Sequence, residues 1–346
     1  MKNWTKGALL ASAMITTAAC AAPTDGEGQG EGEGEVGSTS AALTSGLVAT
    51  RPVDGIVMST GNIYFTSHDA TGASVWRTAQ TSSPGQELPL YTEAGARFGD
   101  IVWAQVGGIY WGYFLAQVGG TTTVRRVSLA GGSASVLATV SGNIDIANTH
   151  RNLVTDGTSL FFQTDVGVYQ VSVNGGTPAR IATTSPNTPT AGLALKSGAL
   201  IYADVATIYS YSIAGVRLPI RGGGYHTYHF TTVVATAPIM VTTLYAVSNG
   251  VYWGARDGVV RLTLDSGSTT TMPGTGLLPT SIGTNGYTAG AAQLWTQCGN
   301  SSCTLQHAFP VTNWSTTIGA NAFGAAVNSN GNGFYADSAG IHREVY

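Results

Sequence analysis

The stretch NGVYWGARDGVVRLTL, residues 249–264, is a two-strand pattern that this chain of 346 residues writes repeatedly in different words. A turn leads into the β-favouring run Val251, Tyr252 and Trp253. A polar turn through Arg256, Asp257 and Gly258 follows, and then an alternating run from Val259 to Leu264, which together predict a β-hairpin. Copies begin at Gly61 (GNIYFTSHDATGASVWRTAQ), Gly107 (GGIYWGYFLAQVGGTTTVRRVSL) and Gly157 (GTSLFFQTDVGVYQVSV), and weaker ones at Gly198, Ala292 and Asn332.

Aligned on the middle of each first strand, the copies place Tyr64, Tyr110, Phe161, Ile201, Tyr252, Leu294 and Phe334 at spacings of 46, 51, 40, 51, 42 and 40 residues. That period is the length of a four-stranded propeller blade. A run such as GDIVWAQV from Gly99 or VTTLYAVS from Val241 precedes each hairpin, and runs such as ELPLY, ASVLATV and ARIAT follow several of them. Each unit thus supplies four short strands, and a lone four-stranded sheet buries both faces only when neighbours cover them. The expected fold class is all-β, a seven-bladed β-propeller. Its last unit ends one strand short, so the orphan run AALTSGLVAT, residues 41–50, is expected to pair with the last blade and close the ring.

The chain divides into residues 1–19, 20–42 and 43–346. Lys2 and Lys6 precede an apolar run too short to remain as a membrane span, so residues 1–19 read as an export signal. Thr17-Ala18-Ala19-Cys20 resembles the lipobox of bacterial lipoproteins, although Thr17 stands where that motif prefers Leu. The resemblance implies lipidation at Cys20; an ordinary signal cleaved near Ala19 or Ala22 is the alternative. Residues 20–42, rich in Gly and Glu, have almost nothing to bury and read as a disordered tether.

Without the signal and the five acids of the tether, 13 basic and 13 acidic side chains remain for the propeller. Such a neutral domain lacks the basic footprint of a nucleic-acid binder. Cys298 and Cys303, in CGNSSC, are expected to form a disulfide across one hairpin turn, outside the cytosol; a six-residue loop is worth about 2 kcal/mol.

Several first strands run into an aspartate: Asp69, Asp165, Asp204, Asp257 and Asp337. Such units, with the fullest matches from Ile109 and Leu160, resemble the Tyr-Trp-Thr-Asp (YWTD-like) and TolB-like propeller repeats of exported bacterial lipoproteins. The resemblance implies a propeller and no particular activity, because that fold serves binding scaffolds, lyases and hydrolases alike. The aspartates read either as turn caps or as a ring of carboxylates on one face. The long segment 220–240 reads as the connection from the fourth blade to the fifth, on that same face. It carries Arg221, Tyr225, His226 and His229, the best candidates for a binding face.

No G-x-S-x-G, H-E-x-x-H or phosphate-loop signature occurs, so no catalytic residue, metal or cofactor is nominated. The expected function is a monomeric, surface-tethered, non-catalytic scaffold at the outer membrane or cell surface. It recognises a protein or glycan through one face of the propeller and meets the membrane only through its lipid. The alternative is an exported lyase or hydrolase acting on a carbohydrate.

Overall fold

The structure is a computed structural model; it describes residues 44–59, 61–144, 151–185, 191–220, 223–272, 278–284, 293–298, 303–308, 313–318, 323–327, 333–337 and 339–345. Cys20, Arg221 and the segments 1–19 and 20–42 lie outside the described residues.

Every described regular element is a strand. After β1 (Thr44–Ala49), the first sheet holds β2 (Gly55–Ser59), β3 (Asn62–Asp69), β4 (Gly72–Ala79) and β5 (Leu88–Ala94). The second holds β6 (Arg97–Val106), β7 (Ile109–Val118), β8 (Thr121–Ser128) and β9 (Ser135–Ser141). The third holds β10 (Leu153–Thr155), β11 (Ser159–Thr164), β12 (Gly167–Ser172) and β13 (Ala179–Ala182). The fourth begins with β14 (Leu193–Lys196), β15 (Ala199–Asp204) and β16 (Thr207–Ser212). A separate two-stranded ribbon, β17 (Val216–Pro219) and β18 (Tyr225–Tyr228), intervenes before β19 (Thr231–Thr236) completes that fourth sheet.

The fifth sheet comprises β20 (Val241–Val247), β21 (Gly250–Ala255), β22 (Val260–Leu264) and β23 (Thr269–Thr271). The sixth comprises β24 (Leu278–Thr284), β25 (Gln293–Cys298), β26 (Cys303–Ala308) and β27 (Asn313–Ile318). A last four-stranded sheet joins β28 (Phe323–Val327), β29 (Gly333–Asp337) and β30 (Gly340–Val345) to β1, in the order β1-β30-β29-β28. The first strands of successive sheets touch in chain order from β2 to β28. The architecture is an all-β propeller.

Period-2 alternation explains why the second strands read as unbroken apolar runs. Successive side chains on a strand point to opposite faces, and here both faces are covered. On β11, Phe162 packs with Tyr113 and Leu115 of the second sheet, while its neighbour Phe161 packs with Leu193 and Leu200 of the fourth. On β3, Tyr64 joins Phe98 and Phe114 of the second sheet, whereas Ile63 and Phe65 join Phe334, Ile341 and Val48 of the last. On β15, Ile201 faces Leu244 and Trp253 of the fifth sheet. The core is therefore a set of seams between sheets. Burying one such Phe contributes roughly 1.5–3 kcal/mol.

Segment 220–240 corrects one expectation, because it is not an inter-blade connection. It holds the end of the ribbon and then β19, the fourth strand of its own sheet, paired with β16 from Tyr211↔Thr231 to Thr207↔Thr236. The ribbon leaves β16 after Ser212, whose partner is Ala199; Asp204 pairs with Thr207 at the opposite end of that hairpin. The ribbon and the Asp204 turn thus lie at opposite ends of the sheet, and the shared face expected from the sequence is not formed.

Candidate functional site

The five nominated aspartates all sit at the turn between second and third strands, and all are engaged there. Asp69 Oδ1 accepts hydrogen bonds from Thr71 N (2.7 Å), Thr71 Oγ1 (2.6 Å) and Gly72 N (3.3 Å). Asp337 Oδ1 accepts from Ala339 N (2.8 Å) and Gly340 N (3.3 Å), with His342 Nε2 2.8 Å away. Asp257 takes Val259 N (3.1 Å) and a two-pronged contact from Arg261 (2.6 and 3.2 Å). Asp165 and Asp204 reach instead to the connection entering their own sheet. Asp165 accepts from Asn143 N (2.8 Å) and Nδ2 (3.2 Å), and Asp204 from Ser185 N (2.9 Å) and Oγ (3.1 Å).

These bonds favour the ionised form. The Thr71 hydroxyl and amide hold Asp69 below the usual carboxylate range, and the Arg261 guanidinium does the same for Asp257. The carboxylates do not converge. Among the described residues no group of three or more His, Cys, Asp or Glu is placed to hold a metal ion.

Tyr225, His226 and His229 belong to the ribbon and its exit, where all eight strand residues are exposed. Cross-strand register pairs Leu218 with His226 and Val216 with Tyr228, so these four share one face; Arg217 and Tyr225 lie on the other. The Arg217 guanidinium sits 5.1 Å above the Tyr225 ring, and His226 meets Tyr228 edge-on at 4.7 Å. His229 turns back onto the sheet, stacking on Tyr211 at 5.4 Å with Nδ1 2.9 Å from Ser212 O. None of the three lines a described cavity.

A second group, not nominated from the sequence, lies where the first strands begin. Asp54 and Asp100 are 8% and 7% exposed, low for carboxylates. His68 Nδ1 lies 2.7 Å from Asp54 Oδ2, and the Asn152 amide donates to Asp100. Burial raises both carboxyls, with Asp100 pushed up to about 7 even though the Asn152 amide and Arg151 work against the shift. Arg151 has φ +74°, a strained value for a residue with a Cβ. That conformation lets its carbonyl accept Leu193 N at 2.7 Å while the next amide reaches Asp100. Its guanidinium lies 4.3 Å above the Tyr245 ring, and burial pulls its pKa down.

Arg151 and Tyr245 line a cavity of about 360 Å³ with Val57, Trp103, Val154 and Leu195. First strands of five consecutive sheets meet there. The sequence signal was a polar residue just ahead of the apolar run of a first strand: Asp54 before GIV, Asp100 before IVW, Arg151-Asn152 before LV.

No protein-family model and no curated protein matches this chain. Solved structures do match. The WD40 beta propeller domain of Doa1 aligns with a TM-score of 0.60 at 14% identity, over 87% of this chain and 96% of that one. A chain of the Mitotic Checkpoint Complex aligns at 0.56 and 13% identity, over 88% and 94%. The computationally designed Ika8 protein aligns at 0.50 and 13%, over 87% and 99%. Likeness at such identities is likeness of fold.

Proposed function

We propose that this chain is an exported, non-catalytic binding scaffold that recognises a protein or glycan and is tethered to the outer membrane or cell surface by a lipid on Cys20. Its seven four-stranded sheets are the blades of one disc, closed by β1. The pairing of β1 with β30, and the packing of Val48, Phe334 and Ile341 against Ile63 and Phe65, support closure. The register that sets Cys298 opposite Cys303 supports the disulfide expected of an exported chain.

The exposed ribbon carries the binding reading. Tyr225 is 64% exposed on one face of the ribbon, and Val216, Leu218 and Tyr228 stand in solvent on the other. An isolated two-stranded ribbon is marginally stable by itself, and aromatic side chains held out on one suit a contact surface. One structurally similar chain belongs to an assembly, the Mitotic Checkpoint Complex, which lends weight to a protein partner. The nominated aspartates cap turns or tie them to the incoming connections, and His226 stands in solvent, so the carbohydrate lyase or hydrolase reading gains no assembled site.

Two experiments test the proposal. Full-length protein and its Tyr225→Ser/Tyr228→Ser variant are applied to a glycan array and to cross-linked surface proteins of the source cell. A ligand retained by the wild type and lost by the variant supports the ribbon; equal retention refutes it, and cleavage of a bound glycan refutes the non-catalytic reading. Labelling with a palmitate analogue is expected to mark the wild type and not Cys20→Ala, and an unlabelled protein cleaved near Ala19 or Ala22 sinks the anchor.

A further inference from the structure

We propose that the cavity where the first strands converge is a binding site for a small organic monocarboxylate, whose carboxylate is forked by Arg151 and whose apolar body lies against Trp103 and Tyr245. A guanidinium offers five N–H donors and no acceptor. Among the described residues no carboxylate is in ion-pair contact with Arg151; its guanidinium lies 4.3 Å above the Tyr245 ring, hydrogen-bonds to that neutral side chain, and lines the cavity. A half-buried cation whose close partner is a neutral side chain is incompletely compensated, and an anion entering the cavity completes the pairing. Asp100 does not substitute for one. Its carboxylate takes the Asn152 amide, and at neutral pH burial leaves it only partly ionised.

The remaining walls choose the ligand class. Val57, Val102, Val154, Leu193 and Leu195 contribute only hydrocarbon. The Thr155 hydroxyl already donates to Ser159 O and accepts from Gly157 N, and Trp103 Nε1 donates to Met58 O at 3.0 Å. One planar fork on an otherwise apolar surface matches two carboxylate oxygens; a phosphate presents further oxygens that would go unsatisfied. The volume, about 360 Å³, lies at the small end of ligand pockets, suiting a single ring or short chain. A strained backbone at the residue presenting the charge fits a preorganised site. The site is independent of the ribbon, so either can fail without the other.

Calorimetric titration of the full-length protein with benzoate, phenylacetate and hexanoate, and with the neutral benzyl alcohol, tests the assignment. At least one carboxylate should bind with Kd below about 1 mM, the alcohol should not, and phosphate should not displace the bound acid. Arg151→Met should weaken that carboxylate about tenfold or more, with an unchanged circular-dichroism spectrum. Should Arg151→Met fail to fold, Val102→Trp, which fills the cavity and leaves the guanidinium in place, should abolish binding. Failure of all three acids to bind the wild type overturns the proposal. So does equal binding by benzyl alcohol, equal binding by a folded Arg151→Met protein, or full binding by Val102→Trp.

Discussion

Gly340 faces the carbonyl oxygen of Ala49 so closely that a Cβ on it would lie 1.8 Å from that oxygen. The same geometry recurs inside the first and third sheets, where a Cβ on Gly72 would meet Glu93 O at 2.2 Å and one on Gly167 would meet Ala182 O at 2.8 Å. In those sheets the carbonyl belongs to the fourth strand; in the last sheet it belongs to β1, the first of the described strands. Gly340 also has φ +138°, where an L side chain is strained. Gly340→Ala is therefore expected to lower unfolding stability by about 3 kcal/mol or more. Gly46→Ala, on β1 with open space at its Cβ, should change it by less than about 0.5 kcal/mol. Urea denaturation of both variants checks this, and equal midpoints would break the link between β1 and closure.

Asp165 and Asp204 predict a different loss from Asp69. The first two tie a turn to the incoming connection, at Asn143 and Ser185, whereas Asp69 caps only its own turn. Asp204→Ala should cost about 1–2 kcal/mol, because two hydrogen bonds to a partly buried serine are lost. Hydrogen exchange should then speed up at Ser185 as well as at the turn of residues 204–207. Acceleration confined to the turn argues against the tie.

The seam packing was readable because it leaves a mark on composition. Phe161 and Phe162 stand side by side in sequence only if both faces of β11 are covered, and the 40-to-51-residue recurrence of such pairs implies neighbours on each side. The place of segment 220–240 was not readable. β19, TTVVAT, is a largely exposed outer strand, so nothing apolar marks it off from the loop around it. An insertion between third and fourth strands then looks like a long link between blades. The Arg151 cavity was hidden for the opposite reason: the polar residues beside it come singly, one per unit, and only the packing of successive first strands brings Asp54, Asp100 and Arg151 near one another.

Cys298 and Cys303 face each other across β25 and β26. A bridge there closes a short loop, so its effect on the unfolded chain is small, about 2 kcal/mol. Cys298→Ser should lower the melting temperature by a few degrees. A reducing agent should reproduce that shift in the wild type and leave the variant unmoved. Identical melting of reduced and oxidised wild type would rule the bridge out.

Asp100 sets the expected pH dependence. Its carboxyl rises from 3.8 to about 7 on folding because burial disfavours the charge, against the pull of the Asn152 amide and Arg151. A folded state that holds its proton more tightly than the unfolded chain is stabilised by acid. This contribution is fully present below about pH 4, is lost as pH rises toward 7, and is then level. Asp54, raised by burial and facing His68, works in the same direction, whereas Asp69 and Asp257, held down by Thr71 and Arg261, work in the other. Comparing Asp100→Asn with the wild type subtracts those shared terms. The variant keeps an oxygen for the Asn152 amide and carries no charge, so its stability relative to wild type should grow between pH 4 and 7, by up to a few kcal/mol. Parallel stability–pH curves for the two proteins would mean that Asp100 is hydrated after all, and that the inner ends of the first strands are wetter than their packing indicates.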